Sequence, residues 1–269
     1  MKQRIITALI VLPLVFVMLW LGGWPFALFI TLVLATAGYE WNQLFQKKGF
    51  QPAHWITIGG IVVFAGLGFF WGIQYDHWFW LVFLFVGMAF AIIQYENGTS
   101  QLPVDFLIHL GGVAYIGGLG RHFIFVRQLT NGGWWFFFFM ALTALGDTAA
   151  YVIGKQWGKH KLGRYVSPNK SWEGLISGFV MAALVGLTFS LVAPTWFSFK
   201  SWCAMVFAGL LYVVSIIGDL GVSMFKRWAG VKNTGNLLPG HGGVLDRIDA
   251  HLWTMAIGYQ LLILFLPPG

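Results

Sequence analysis

Five acidic side chains stand where acids are costly. Asp147 lies eight residues before Lys155, and Asp219 seven before Lys226, each inside an apolar run. If those lysines mark a membrane surface, both carboxylates sit roughly 10–12 Å beneath it, at about 1.5 Å per helical residue. An ionisable group at that depth calls for a partner or a function. Asp246 and Asp249 open the last apolar run, three apart and therefore on one helix face, and Glu173 opens an earlier one. A single such acid reads as half of an ion pair that holds helices together. Five of the chain's nine acids at the ends of four apolar runs, beside a rim of Lys and Arg, suit a hard divalent cation and a phosphorylated ligand instead. Mg²⁺ takes one or two carboxylates together with substrate oxygens, and Lys or Arg neutralises the remaining phosphate charge. Ser215, Asp219, Ser223 and Lys226 recur at helical spacing, so one stripe carries two hydroxyls, a carboxylate and an ammonium.

The segment from Ser223 to Asp249 carries the densest signal. Gly235, Gly240, Gly242 and Gly243 lie between Lys226, Arg227 and Lys232 on one side and Asp246, Arg247 and Asp249 on the other. Isolated glycines would mark a turn. In this setting they let backbone approach an anion closely and present N–H groups to it. Gly235 and Gly240 have the spacing of a P-loop, but His241-Gly242 follows where Lys-Ser/Thr is needed, which excludes that motif. The lone Cys203 excludes an internal disulfide and a cysteine metal site.

The elements that must position these residues are membrane helices. Of 269 residues, 58% are apolar and 9% charged, against about a quarter charged in ordinary soluble domains. The mean hydropathy is +0.74. A net charge of +7 in so charge-poor a chain points to anionic head groups or a phosphorylated small molecule and not to nucleic acid. The pattern predicts an all-α polytopic integral membrane protein of about nine transmembrane helices: Ile5–Trp20, Trp24–Phe45, Trp55–Ile73, His77–Gln94, Phe106–Phe125, Gly132–Gly154, Ser171–Ala193, Trp202–Phe225 and Asp249–Leu266. Lys and Arg cluster in alternate connections, notably Lys155–Lys170 and Lys226–Asp246, which places the N-terminus in the cytoplasm. Residues 1–130 read as scaffold and lipid-facing helices, and residues 131–269 as the helices with the catalytic loops, within one continuous membrane domain.

The stretch Ser223–Asp249 closely resembles the signature of the phosphatidate cytidylyltransferase (CDP-diacylglycerol synthase) family. The match runs through Ser223, Lys226, Arg227, Lys232, His241, Gly242, Gly243, Asp246, Arg247 and Asp249. A second match is Asp147-Thr-Ala-Ala-Tyr151 with Ser167-Pro-Asn-Lys-Ser-Trp-Glu-Gly174, and a third is Glu40 in Tyr39-Glu40-Trp41. The resemblance implies transfer of the cytidylyl group of CTP to phosphatidate, with Mg²⁺ and room for a second cation, on the cytoplasmic side of a bacterial inner membrane. A homodimer is also implied. On this basis Asp219 and Asp246 are assigned as metal ligands, with Asp147 and Asp249 as ligands or as orienters of cationic side chains. Lys226, Arg227 and Arg247 are expected to hold triphosphate or lipid phosphate. Ser167, Lys170, Ser171, Glu173, Ser223 and Lys232 complete the substrate pocket, and His241, Gly242 and Gly243 line the nucleotide phosphates. Three residues depart from the family pattern: Asn233 where Asp is usual, Asn169 where Lys is common and Ser171 where Thr is common. Asn233 keeps an oxygen ligand but loses the charge. Other CTP-using lipid enzymes (a polyprenol kinase, an archaeal-lipid cytidylyltransferase) and an ion-coupled transporter are the competing readings.

Overall fold

A computed structural model describes residues 2–98, 102–193, 197, 199–240 and 242–265. His241 lies outside the described residues. The described residues form ten α-helices: α1 (Lys2–Leu21), α2 (Gly23–Gln46), α3 (His54–Trp71), α4 (Asp76–Glu96), α5 (Leu102–Gly112), α6 (His122–Gln128), α7 (Gly132–Trp157), α8 (Trp172–Val192), α9 (Ser201–Trp228) and α10 (Leu245–Phe265). A two-stranded hairpin, β1 (Lys161–Gly163) and β2 (Ser167–Ser171), joins α7 to α8. The protein is all-α and polytopic. Among the described residues, eight stretches are long and apolar enough to cross a bilayer, one of them Pro103–Gln128. They coincide with eight of the nine expected spans. At the remaining one, α1, the described apolar part is the shorter Leu9–Leu21.

The chain divides into two compact units, residues 1–128 with 228–247 and residues 129–227 with 248–269. The glycine-rich loop thus belongs with the first six helices.

In the first unit α2 packs on α3, with Gly38 of α2 facing Ile61 and Thr57 of α3, and Phe26, Leu34, Ile61 and Phe64 are all buried. Polar groups inside this apolar mass find one another, as burial without partners would be costly. The Thr57 hydroxyl donates to Asn42 Oδ1 (3.0 Å) and lies 2.9 Å from His109 Nδ1. Trp41 Nε1 donates to the Ile108 carbonyl (3.1 Å). The expected fifth span is not one continuous α-helix: a π-helical turn, Val113–Gly118, and a break at Arg121 separate α5 from α6. The break coincides with a charge. Arg121 pairs with Asp76 at the start of α4 and stacks on the rings of Phe64 and Phe125, 4.2 and 5.1 Å away. This gives an arginine at membrane depth both an anion and two π faces.

The second unit is built on α7 packed against α8. The aromatic run Trp134–Phe139 serves two faces: Trp134 and Phe137 are exposed, while Trp135, Phe136, Phe138 and Phe139 are buried. Phe197 and Phe207 complete that aromatic core. The basic loop expected between these helices is folded as the β1–β2 hairpin, with Lys161 opposite Ser171 and Gly163 opposite Ser167. Ser171 ends β2 in extended geometry and caps α8, its Oγ accepting from the Gly174 N–H at 3.1 Å. Lys170 is thereby held two residues before the start of a membrane helix.

Candidate active site

In the second unit a cavity of about 360 Å³ is lined by Asp147 of α7, by Ser167, Asn169, Lys170 and Ser171 of the hairpin, and by Tyr212 and Asp219 of α9. Helical periodicity creates the α9 wall. Tyr212, Ser215, Asp219, Ser223 and Lys226 follow one another at intervals of three and four and so share a face. Ser215 is spent on its own helix, its hydroxyl donating to the Tyr212 carbonyl (2.6 Å). Ser223 donates to Asp219 Oδ1 (3.3 Å). Lys170 forms an ion pair with Asp219, and Lys226, nearly buried, acts on the same carboxylate through its charge. Asp147 and Asp219 also feel each other electrostatically.

Tyr212 fixes the second carboxylate. Its hydroxyl donates to Asp147 Oδ1 at 3.3 Å, and its ring is completely buried. The ring passes between two glycines: a Cβ on Gly146 would lie 2.5 Å from it, and one on Gly178 would lie 2.3 Å away. Only residues without a side chain at these positions of α7 and α8 admit the ring. The sequence reading passed over Tyr212, although its spacing of three from Ser215 and seven from Asp219 puts it on the stripe already identified.

Other expected site residues of this unit have different surroundings. Glu173 accepts from the backbone N–H of His160 (3.2 Å) and contacts His160 Nδ1 (2.7 Å), tying the start of the hairpin to α8. Arg227 Nε donates to the Val166 carbonyl (3.3 Å), so its guanidinium braces the hairpin turn. Asp249 is buried, and its Oδ1 accepts from the Ala250 N–H at 2.7 Å. Beside it Gly218 allows α9 and α10 to approach closely, since a Cβ there would lie 2.7 Å from the Asp249 carbonyl oxygen.

The first unit holds the glycine-rich loop, and there the anion that the backbone N–H groups meet is internal. Glu40 of α2, almost fully buried, accepts at Oε1 from the Val244 N–H (2.9 Å) and at Oε2 from the Leu245 N–H (2.9 Å). It therefore caps the N-terminus of α10, where unpaired N–H groups and the helix dipole favour a carboxylate. The Thr234 hydroxyl lies 2.7 Å from Glu40 Oε2 and 3.1 Å from Asp246 Oδ2. A hydroxyl has one proton to give, and the shorter contact takes it. Asp246 Oδ2 also accepts the N–H groups of Thr234 (2.9 Å) and Gly243 (3.0 Å), so it closes the loop on itself. Gly235 and Gly243 are required by this arrangement, because a Cβ on either would come within 2.4 Å of a Glu40 oxygen. Gly242 lies in a tight turn at φ +85, its N–H and carbonyl exchanging bonds with Leu238. Lys232 and Arg247 are exposed. Asp219 and Asp246 fall in different units, and what the structure displays of Asp246 is its bonding to the loop.

The residues of the second unit fit a Mg²⁺ ion of the kind that needs few protein ligands. Among the described residues no cluster of three His, Cys, Asp or Glu side chains forms an all-protein cage. Two carboxylates on one polar cavity are what Mg²⁺ uses when phosphate oxygens and water supply the rest of its shell.

The sequence matches the model of the Cytidylyltransferase family over residues 2–265. A phosphatidate cytidylyltransferase of Brucella suis biovar 1 is 33% identical over 276 residues, which cover 100% of this chain and 95% of that protein. Those of Staphylococcus saprophyticus and Staphylococcus aureus are each 31% identical, covering 98% of this chain and 99% of theirs.

Proposed function

The chain belongs to the cytidylyltransferase family, and from that premise we propose that it transfers the cytidylyl group of CTP to phosphatidate, yielding CDP-diacylglycerol and pyrophosphate. A phosphate oxygen of phosphatidate attacks the α-phosphorus of CTP, the bond from that phosphorus to the β-phosphate bridging oxygen breaks, and pyrophosphate leaves. The nucleophile is already anionic, so no strong base is required. What is required is to bring two polyanions into line and to offset their charge.

The observation that carries this reading is the cavity on which Asp147, Asp219 and Lys170 meet, in a chain matched to its relatives over its full length. Mg²⁺, when bound, would screen the repulsion between the two substrates and polarise the reacting phosphate. Asp219 and Asp147 would hold it; Asp246, which belongs to the other unit, is proposed as a metal ligand on the sequence motif alone. Lys170 is paired with Asp219 and would be released to hold a phosphate oxygen when that carboxylate serves as a metal ligand. Lys226 offsets charge at the same carboxylate, while Arg227 holds the hairpin that carries Ser167 and Lys170. The cavity wall also contains Tyr151 and Leu175, which suits a substrate with a charged head and apolar tails.

The excess of Lys and Arg in alternate connections supports a cytoplasmic N-terminus, an inner-membrane location and an active site facing the cytoplasm. The family resemblance supports a homodimer. Incubating the purified protein with CTP and phosphatidate, with and without Mg²⁺, tests the reaction. Metal-dependent CDP-diacylglycerol and pyrophosphate are expected, and release of CDP with a newly phosphorylated lipid would overturn the assignment.

A further inference from the structure

The connection between α7 and α8 carries positive charge that the second unit's cavity does not use. Lys155, Lys159, Lys161 and Arg164 are all exposed, and none of them lines that cavity. No acidic residue lies between Lys155 and Ser171, and the next acid along the chain, Glu173, is engaged by His160. Leu162 of β1 does line the cavity. Successive side chains of a strand point to opposite faces, so Lys161 is directed away from it. The outward face of the hairpin is therefore a cationic surface of its own. We infer that it docks on the anionic phospholipid head groups of the surrounding bilayer.

Three attachments hold the hairpin at the level of the head groups. The helices it joins, α7 and α8, are both long and apolar enough to cross a bilayer. Its turn is tethered to a third such helix, because Arg227 in the last turn of α9 donates from Nε to the Val166 carbonyl (3.3 Å). At the far end of β2, Lys170 reaches back to Asp219 of α9. The strands thus lie against the helix ends and do not project into solvent. Aromatic side chains flank the cations: Trp157 ends α7, Trp172 opens α8, and Tyr165 stands in the turn beside Arg164, 90% exposed. Such rings favour the membrane interface, where one end meets hydrocarbon and the other water. Charge alone would suit any polyanion. The rings beside the cations and the fixing of the turn at a helix end select a lipid surface. Clusters of Lys and Arg next to a membrane helix attract anionic lipids, each cation being worth about five-fold in affinity. Because the hairpin is already braced at both ends, docking costs little conformational entropy.

The test uses the purified full-length protein in phosphatidylcholine vesicles, with spin-labelled phosphatidylglycerol and spin-labelled phosphatidylcholine as probes of the lipids it holds. Phosphatidylglycerol has no phosphate monoester to receive a cytidylyl group, so the readout is independent of the proposed reaction. The parent protein should hold phosphatidylglycerol in preference to phosphatidylcholine. Raising the salt from about 0.01 M to about 1 M, which shortens the screening length from roughly 30 Å to roughly 3 Å, should shrink that preference. The combined variant Lys159→Gln, Lys161→Gln and Arg164→Gln should lower it by about five-fold or more. Lys47→Gln with Lys48→Gln, which removes cations from the first unit, should change it less. If the combined variant does not fold, Arg164→Gln alone carries the test, with a smaller loss expected. No preference in the parent protein, an unchanged preference in the folded hairpin variant, or an equal loss in the Lys47 and Lys48 variant would overturn the inference.

Discussion

The two units use carboxylates within their helices in opposite ways: Glu40 is buried, and Asp219 is partly open. Glu40 is surrounded by donors that cannot leave: two backbone N–H groups at the start of α10 and the hydroxyl of Thr234. Asp219 faces a cavity, and its partners are the side chains of Lys170 and Ser223. A lysine on a flexible stem can trade one anion for another at little cost, whereas a helix N-terminus cannot. The first arrangement therefore builds structure, and the second is suited to exchange with a metal or a phosphate. Charge alone does not separate the two cases; burial and the identity of the donor do.

This contrast predicts its own largest effects. Asp219→Asn removes the charge while leaving an oxygen for Ser223, so turnover should fall by about a hundred-fold or more with the thermal unfolding midpoint little changed. Glu40→Gln turns an NH₂ group toward donors that need an acceptor. Leaving a buried donor unsatisfied costs about 1–3 kcal/mol, so the unfolding midpoint should drop and limited proteolysis should begin within residues 228–247. A Glu40→Gln protein that keeps parental stability but loses activity, or an Asp219→Asn protein that unfolds, would reverse the roles assigned to the two carboxylates.

A smaller effect should follow at Tyr212, whose hydroxyl acts on Asp147. Tyr212→Phe keeps the ring between Gly146 and Gly178 and removes only the hydroxyl bonded to Asp147 Oδ1. Freed from that bond the carboxylate can rotate, and turnover should fall by about ten-fold, the worth of one buried hydrogen bond. The Mg²⁺ concentration for half-maximal activity should rise. A loss of activity at unchanged Mg²⁺ dependence would show that Tyr212 only fills space between α7 and α8.

How far the sequence anticipates these features depends on the range of the interaction. The stripe from Ser215 to Lys226 is legible because helical period alone puts those residues on one face, and the apolar runs around Asp147 and Asp219 give their depth. The β1–β2 hairpin is not legible: Lys161-Leu-Gly163 and Ser167–Ser171 show no alternation of apolar and polar residues, and the pairing is held by the helices at either end. The break at Arg121 could be suspected from a charge within an apolar run, but its partner Asp76 lies 45 residues away. Glu40 and Thr234 are 194 residues apart, and no local pattern joins them. The glycine spacing of the loop predicts backbone brought close to an anion. Gly235 and Gly243 do so, and the anions they approach, Glu40 and Asp246, belong to the protein itself.

The departure at Asn233 sharpens the comparison at its finest scale. As a motif position next to Lys232 it could have been a metal ligand lacking its charge, which would weaken the metal site. The structure places it on the wall of a cavity of about 690 Å³ in the first unit, in the unit that contains Asp246 and not Asp147 or Asp219. Asn233→Asp should therefore leave the Mg²⁺ dependence set by Asp147 and Asp219 close to the parental curve, and act on the KM for CTP through the charge it adds beside Lys232. The effect should be the smallest of the series, since Asn233 is exposed and an exposed charge is screened by solvent. Parallel Mg²⁺ and CTP titrations of the two proteins separate the outcomes. A shift in the Mg²⁺ curve at constant KM for CTP would move Asn233 into the metal-binding machinery and dissolve the division of labour between the two sets of carboxylates.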